Sequence, residues 1–348
     1  MVEKIRRKGW KITLTIITLV AMVGLTFALR DQIINTFKSI KDVYYWVLLL
    51  MVPLEVLNYH AQTKLFQRLF SVIKVKVPYK FMYRLALELN FVNNVFPSGG
   101  VSGISYFSLR LKPRGVSTAQ STLVSLTKLI LLFMSFQILM VLGLIMLAID
   151  GRASGLLILV AGSLVTLLIV GTVFLTFIIG SKQRINDFLL FFTRIVNRLL
   201  HVFSRHPEVI NTARAREVFD ELHERYMDIK KDFRKLRSPL MFALLANLAE
   251  IAVIYTVYVA FGQWVNPGAV IIAYAVANFA GLVSVLPGGV GIYEALMTAV
   301  LAAGGVPASL SLPVTVMYRV LNMAIQLPPG YIFYHRALNE EPDGDFTK

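Results

Sequence analysis

The chain has 348 residues, of which 56% are hydrophobic and 16% charged, with a mean hydropathy of +0.66. A soluble globular chain is about one-quarter charged, so these values exclude a water-soluble domain and leave lipid as the solvent. The net charge of +15 is carried in short segments beside the apolar runs, with no basic stripe interleaved with aromatics. That argues against nucleic acid and reads as a topology signal. With no Cys, disulfides, thiolate metal sites and Cys nucleophiles are excluded together.

A helix needs about 20 apolar residues to cross a bilayer core. The N-terminal Lys4-Ile5-Arg6-Arg7-Lys8 and the apolar run after it look like a signal peptide. The run is too long for one, and Leu29-Arg30-Asp31 is not a small-residue cleavage site, so 10–29 is expected to be an uncleaved first span. Further spans are expected at 43–65, 118–149, 156–179, 240–261 and 310–334.

Two apolar segments differ from these. The segment 77–109 is interrupted by Phe96-Pro97-Ser98-Gly99-Gly100, and 269–301 by Leu286-Pro287-Gly288-Gly289-Val290-Gly291. Pro lacks an amide hydrogen and Gly has little helix preference, so both must break in mid-course. After the first break too few residues remain before Arg110 to reach the far side, so a re-entrant hairpin is expected. Non-helical backbone at membrane depth has to face protein or a water-filled cavity.

Basic clusters at 4–11, 64–84, 110–114, 182–237 and Arg336, against none in 262–313, predict cytoplasmic N- and C-termini in a cell (inner or plasma) membrane. They also make the two hairpins enter from opposite faces. Shifting the sequence by 190 residues lays Val95-Phe96-Pro97 on Val285-Leu286-Pro287, Gly115-Val116 on Gly305-Val306, and Lys128 next to Arg319. The expected fold is therefore an all-α polytopic membrane protein with about six full spans, two broken re-entrant helical hairpins and an inverted-repeat architecture. Residues 43–149 form the first half and 239–336 the second. A cytoplasmic helical connector occupies 181–238, and 339–348 reads as a disordered tail.

Ionisable side chains inside spans cost about 2.5–3.5 kcal/mol each at a helix centre, so each needs a partner, a cavity or a role. Glu55 and Glu250 lie in the span that opens each half, with Asn58 and His60 after the first and Asn247 before the second. Glu88, Asn90, Asn93 and Asn94 precede the first break. Asn278 precedes the second and Glu294 follows it, while Lys128, Arg319, Asn322 and Gln326 lie in the spans after the hairpins. The functional reading is a polar cavity in which Lys128 and Arg319 attract a lipid phosphate and the carboxylates engage a cationic head group, counter-ion or proton. The structural reading is that acids and bases pair to hold the halves together. Gly99-Gly100 and Gly288-Gly289 offer backbone amides to an anion at a helix start. No catalytic triad, phosphate loop or metal-ligand spacing occurs, so no enzyme activity, cofactor or metal is expected.

Asn93-Asn94-Val95-Phe96-Pro97-Ser98-Gly99-Gly100, then Leu286-Pro287-Gly288-Gly289-Val290-Gly291-Ile292-Tyr293-Glu294, with Tyr318-Arg319 downstream, resemble the lysylphosphatidylglycerol synthase/flippase transmembrane-region family over nearly the whole chain. The resemblance implies a membrane region linked to moving aminoacylated phospholipid, with Pro97, Gly99, Pro287, Gly288, Gly289, Glu294 and Arg319 as its functional positions. Two departures stand out. The chain ends soon after the last expected span, so no soluble aminoacyl-transfer domain is expected, and Ser102-Gly103-Ile104 replaces a Gly-Glu followed by Arg in the first motif. The expectation is a translocase for a phospholipid or polyprenyl-phosphate-type lipid. The alternative is a non-catalytic membrane partner that presents lipid to a separate glycosyl- or aminoacyltransferase. The expected partners are membrane lipids with anionic phosphate head groups, together with a lipid-modifying enzyme in the second case.

Overall fold

The computed structural model describes residues 24, 27, 30–39, 43–96, 101–151, 154–184, 187, 220, 221, 223–227, 232–283, 289, 291–340 and 346. Among them the regular structure is entirely helical. Helix α1 is Arg30–Ser39, and a single turn at Tyr45–Leu48 leads into α2, Met51–Val72. Then come α3, Tyr79–Val95; α4, Val101–Leu111; α5, Thr118–Ile149; and α6, Gly155–Ile179. The chain continues through α7, Arg237–Ala260; α8, Pro267–Val283; α9, Ile292–Ala303; and α10, Ala308–Ala337. Both expected breaks separate two helices, α3 from α4 and α8 from α9.

Among the described residues four helices are long and apolar enough to cross a membrane: α5, α6, α10, and α7 together with the 3-10 turn before it. All of the expected span at 10–29 except residues 24 and 27 falls outside the described residues, as does most of the connector. The span expected at 43–65 is a helix displaced towards the C-terminus. It starts at Met51, with Pro53 in its first turn, where the missing amide hydrogen costs no helix bond, and runs on to Val72.

The outward faces of α5 and α6 carry exposed Val141, Leu142, Ile145, Leu156, Leu159 and Val170, while Glu55, Glu88, Asn247, Glu250, Glu294 and Arg319 are buried. That arrangement is unfavourable in water and favourable in hydrocarbon, where buried polar groups satisfy one another.

Helices α2 and α7 form the most extensive contact of the bundle and run antiparallel. Tyr44 donates its amide to Ala260 O, Asn58 meets Glu250, and Ala243 shares an apolar cluster with Leu65. Around this crossing the apolar side chains gather in two large clusters. One joins Met51 to the C-terminal part of α7, to α8 and to α9. The other joins Leu65–Phe70 to α3, α4 and the start of α5. The polar side chains of α2 and α7 lie between the two.

Two further contacts answer each other, α3 on α10 and α8 on α5. Both depend on small residues, as close helix approach in membranes does. A Cβ on Gly268 in α8 would stand 2.3 Å from Gly143 O in α5, and one on Gly330 in α10 would stand 2.9 Å from Leu87 O in α3. At the connector, Glu221 accepts from Ser117 Oγ at 2.7 Å. In the tail, the Phe346 amide donates to Arg114 O at 2.9 Å.

Candidate functional site

At the α2–α7 crossing, Glu250 is the acceptor for side chains from two neighbouring helices. Asn58 Nδ2 of α2 donates to its Oε2, and Tyr318 OH and Asn322 Nδ2 of α10 donate to its Oε1 at 2.5 and 2.8 Å. Tyr318 and Asn322 are one helical turn apart, which puts both on one face of α10. Gln326, one turn further on, donates to Glu55 Oε2 at 2.8 Å and to Asn322 Oδ1 at 2.9 Å. It also accepts from Asn90 Nδ2 of α3 at 2.5 Å. The network thus ties α2, α3, α7 and α10 through neutral donors on two carboxyl groups.

Two cavities meet at this network. One, of about 250 Å³, reaches α5 and is lined by Asn58, Gln62, Asn247, Tyr274 and apolar residues of α5. The other, of about 330 Å³, is lined by Asn93, Asn94, Tyr293, Tyr318 and Arg319 among others. Asn90, Glu250, Asn278 and Gln326 line both, so this quartet is the partition between them.

Arg319 is anchored on its cavity wall by Glu294, with Nη1 2.6 Å from Oε1 and both side chains 6% exposed. Its guanidinium also lies 4.8 Å from the centre of the Tyr293 ring. Glu294 is fixed in turn by the Gly291 amide, which donates to Oε2 at 2.7 Å, and by Gln32 Nε2 of α1 at 3.2 Å. Gly291 has φ 87°, a left-handed conformation that favours glycine. The turn that starts α9 therefore places the carboxylate.

Of the residues singled out in the sequence, Asn94, Glu250 and Arg319 line the cavities, as do the amides Asn58, Asn90, Asn93, Asn247, Asn278, Asn322 and Gln326; Glu55 adjoins them through Gln326, and Glu294 supports Arg319. Lys128 adjoins the first cavity through Gln62, whereas Glu88 lies apart from this group. Glu88 accepts from Tyr106 OH at 2.8 Å and from Arg110 Nε at 2.9 Å, clamping α3 to α4 across the first break. Lys128 donates to Gln62 Oε1 at 3.3 Å and lies over the Phe66 ring at 4.4 Å. Gly289 is described, with φ 64°. Pro97, Gly99, Pro287 and Gly288 lie outside the described residues. The sequence reading missed Tyr318, Gln62 and Ser135, whose Oγ accepts from Asn247 at 3.0 Å. It also grouped Arg110 with the topology charges, although that side chain is 10% exposed and pairs with Glu88. The four-residue spacing of Tyr318, Asn322 and Gln326 was the available signal.

A family model described as the lysylphosphatidylglycerol synthase TM region matches residues 12–330, a range that takes in every residue lining the two cavities. The chain belongs to that family. A UPF0104 membrane protein of Methanothermobacter thermautotrophicus is 29% identical over 150 residues, 40% of this chain and 43% of the relative. Another, of Pyrococcus horikoshii, is 26% identical over 175 residues, 50% of this chain and 52% of the relative. The chain thus matches about half the length of these curated relatives. In this member of the synthase TM-region family, the polar groups that line the cavities come from α2, α3, α7, α8, α9 and α10, while α5 adds an apolar wall.

Proposed function

We propose that the protein is a lipid translocase that moves a phospholipid or polyprenyl-phosphate-type lipid through a polar path inside the bundle. The observation that carries this reading is the pair of cavities meeting at Asn90, Glu250, Asn278 and Gln326, one of them holding the Arg319 guanidinium. Arg recognises phosphate oxygens with a planar fork of donors, and Glu294 holds it ready without covering the cavity. A lipid head group that crosses hydrocarbon needs such a path, because each unsatisfied polar group there costs several kcal/mol.

In this reading α2–α5 and α7–α10 are inverted repeats that rock against each other. The antiparallel α2–α7 pair and the matched α3–α10 and α8–α5 contacts support it. The protein sits in the cell membrane with both termini cytoplasmic, and it acts on lipids without covalent chemistry. The family description also names a synthase, which favours a second reading: a membrane partner that presents lipid to a separate lipid-modifying enzyme.

The test is reconstitution in vesicles with fluorescent phospholipid or polyprenyl-phosphate lipid on one leaflet. Movement above the empty-vesicle rate is expected, abolished by Arg319→Ala and slowed by Asn94→Leu, which fills the cavity without breaking an ion pair. Movement at the empty-vesicle rate, with neither substitution changing anything, overturns the translocase reading. Co-purification with a glycosyl- or aminoacyltransferase would then favour the partner reading.

A further inference from the structure

The two carboxyl groups at the α2–α7 crossing raise a question that lipid recognition leaves open. Glu55 and Glu250 are 1% and 8% exposed and lie within hydrogen-bonding reach of each other. Their donors are all neutral: Asn58, Tyr318 and Asn322 on Glu250, and Gln326 on Glu55. Arg319 is paired with Glu294, whereas Lys128, held by the neutral Gln62, exerts no charge effect on Glu55. Two adjacent buried carboxylates cannot both hold a full charge without a compensating positive one. One atom marks where that charge belongs. Glu55 Oε1 is completely buried and has no hydrogen-bond partner, whereas both oxygens of Glu250 accept bonds.

We infer that Glu55 and Glu250 form a proton-binding site, in which a proton on Glu55 Oε1 is donated to Glu250. The lone oxygen then becomes a donor, and the pair carries a single negative charge that the three neutral donors on Glu250 stabilise. A metal ion fits the same place poorly. Hard cations need about six oxygen ligands, but the amides here direct N–H groups at the carboxylates. No third His, Asp or Glu joins them among the described residues.

The other groups facing the pair are phenols rather than bases. Tyr59 of α2, Tyr83 of α3, Tyr274 of α8, Tyr293 of α9 and Tyr318 of α10 all lie within its electrostatic reach. The proton therefore has no competing acceptor of comparable basicity in this shell, and it exchanges by way of the cavities that Glu250 lines.

The pair sits where the two halves cross, so loss of the proton leaves two negative charges face to face and loosens α2 from α7. Taken with the translocase reading, on which this step rests, proton binding and release drives or gates the rocking of the halves. The binding site itself stands independently of lipid movement.

Two measurements on the full chain separate these claims. Infrared spectroscopy of the protein in lipid nanodiscs is expected to show a protonated-carboxyl carbonyl band at neutral pH. That band should be lost in Glu55→Gln and retained in Glu340→Gln, a control at an exposed carboxylate. No such band, or one that survives Glu55→Gln, overturns the proton site. In vesicles, an imposed pH gradient should change the lipid rate of the wild-type protein by about fivefold or more, the lower end of ordinary coupling, and leave Glu55→Gln unresponsive. A sodium gradient that replaces the pH gradient with equal effect overturns proton binding in favour of a metal cation. A rate indifferent to pH sinks the coupling while leaving the translocase reading intact. A band without any lipid movement sinks the translocase reading while leaving the proton site.

Discussion

Glu294 and Glu250 are both buried carboxylates in the middle of an apolar bundle, yet their surroundings differ in kind. Glu294 has a full positive charge 2.6 Å away and a backbone amide on its other oxygen. Glu250 has amides, a phenol and a second carboxyl group. The first is a closed electrostatic unit that holds Arg319 in place. The second is short of positive charge and gains from a proton that reaches it, so the same residue type is a strut at one position and a binding group at the other.

The comparison is broken most forcefully at Arg319. Arg319→Met strands the Glu294 carboxylate, and removing one partner of a buried pair costs about 3–5 kcal/mol. The expected outcome is a large fall in the unfolding midpoint of the purified protein, with most of that loss recovered in the double variant Glu294→Gln/Arg319→Met. If the double variant is no more stable than the single one, Glu294 and Arg319 are not a closed unit.

Glu88→Gln makes the next-largest change. It weakens a charged hydrogen bond to Arg110, worth about 1.5–3 kcal/mol. Arg110 keeps Glu340 at 3.2 Å, so the loss should be smaller than at Arg319. Lipid movement should persist, because Glu88 lines neither cavity. A translocation defect as severe as that of Arg319→Ala would move Glu88 into the site.

These contrasts bear on how much the sequence discloses. Apolar runs and Pro-Gly interruptions locate the helices and both breaks, because length and backbone chemistry act locally. The price of a charge in hydrocarbon correctly marks Glu55, Glu250, Glu294 and Arg319 as residues in need of a partner. It does not say which partner. Glu294 and Arg319 are 25 residues apart, and the partners of Glu250 come from α2 and α10, so pairing is a property of the folded bundle. Lys128 was expected to attract a lipid phosphate in one cavity with Arg319; its Nζ bonds to Gln62 of α2, which lines the cavity that Arg319 does not line. Tyr318 escaped notice as a ligand because a tyrosine in a span ordinarily reads as an interface anchor.

Glu250→Gln sharpens the comparison further. The new amide meets donors it cannot accept from, leaving one of Asn58, Tyr318 or Asn322 unsatisfied at a cost of about 1–3 kcal/mol. Glu294→Gln, by contrast, leaves the Arg319 guanidinium without its counter-charge and should cost more. The unfolding midpoints of the two variants, measured side by side, test whether the neutral and charged surroundings differ as described. Equal losses would erase the distinction.

The smallest effect is expected at Gly291. A Cβ there meets nothing within 4 Å, so Gly291→Ala acts through its backbone conformation alone, φ 87° and ψ −50°, at about 1–3 kcal/mol for a residue held in a sparsely populated region. Because the Gly291 amide also holds Glu294 Oε2, the strain passes to the Glu294–Arg319 unit and leaves the Glu250 network untouched. The variant should therefore slow lipid movement modestly and keep the response to a pH gradient. A variant that moves lipid normally but no longer responds to the gradient would join the two carboxylates into one system.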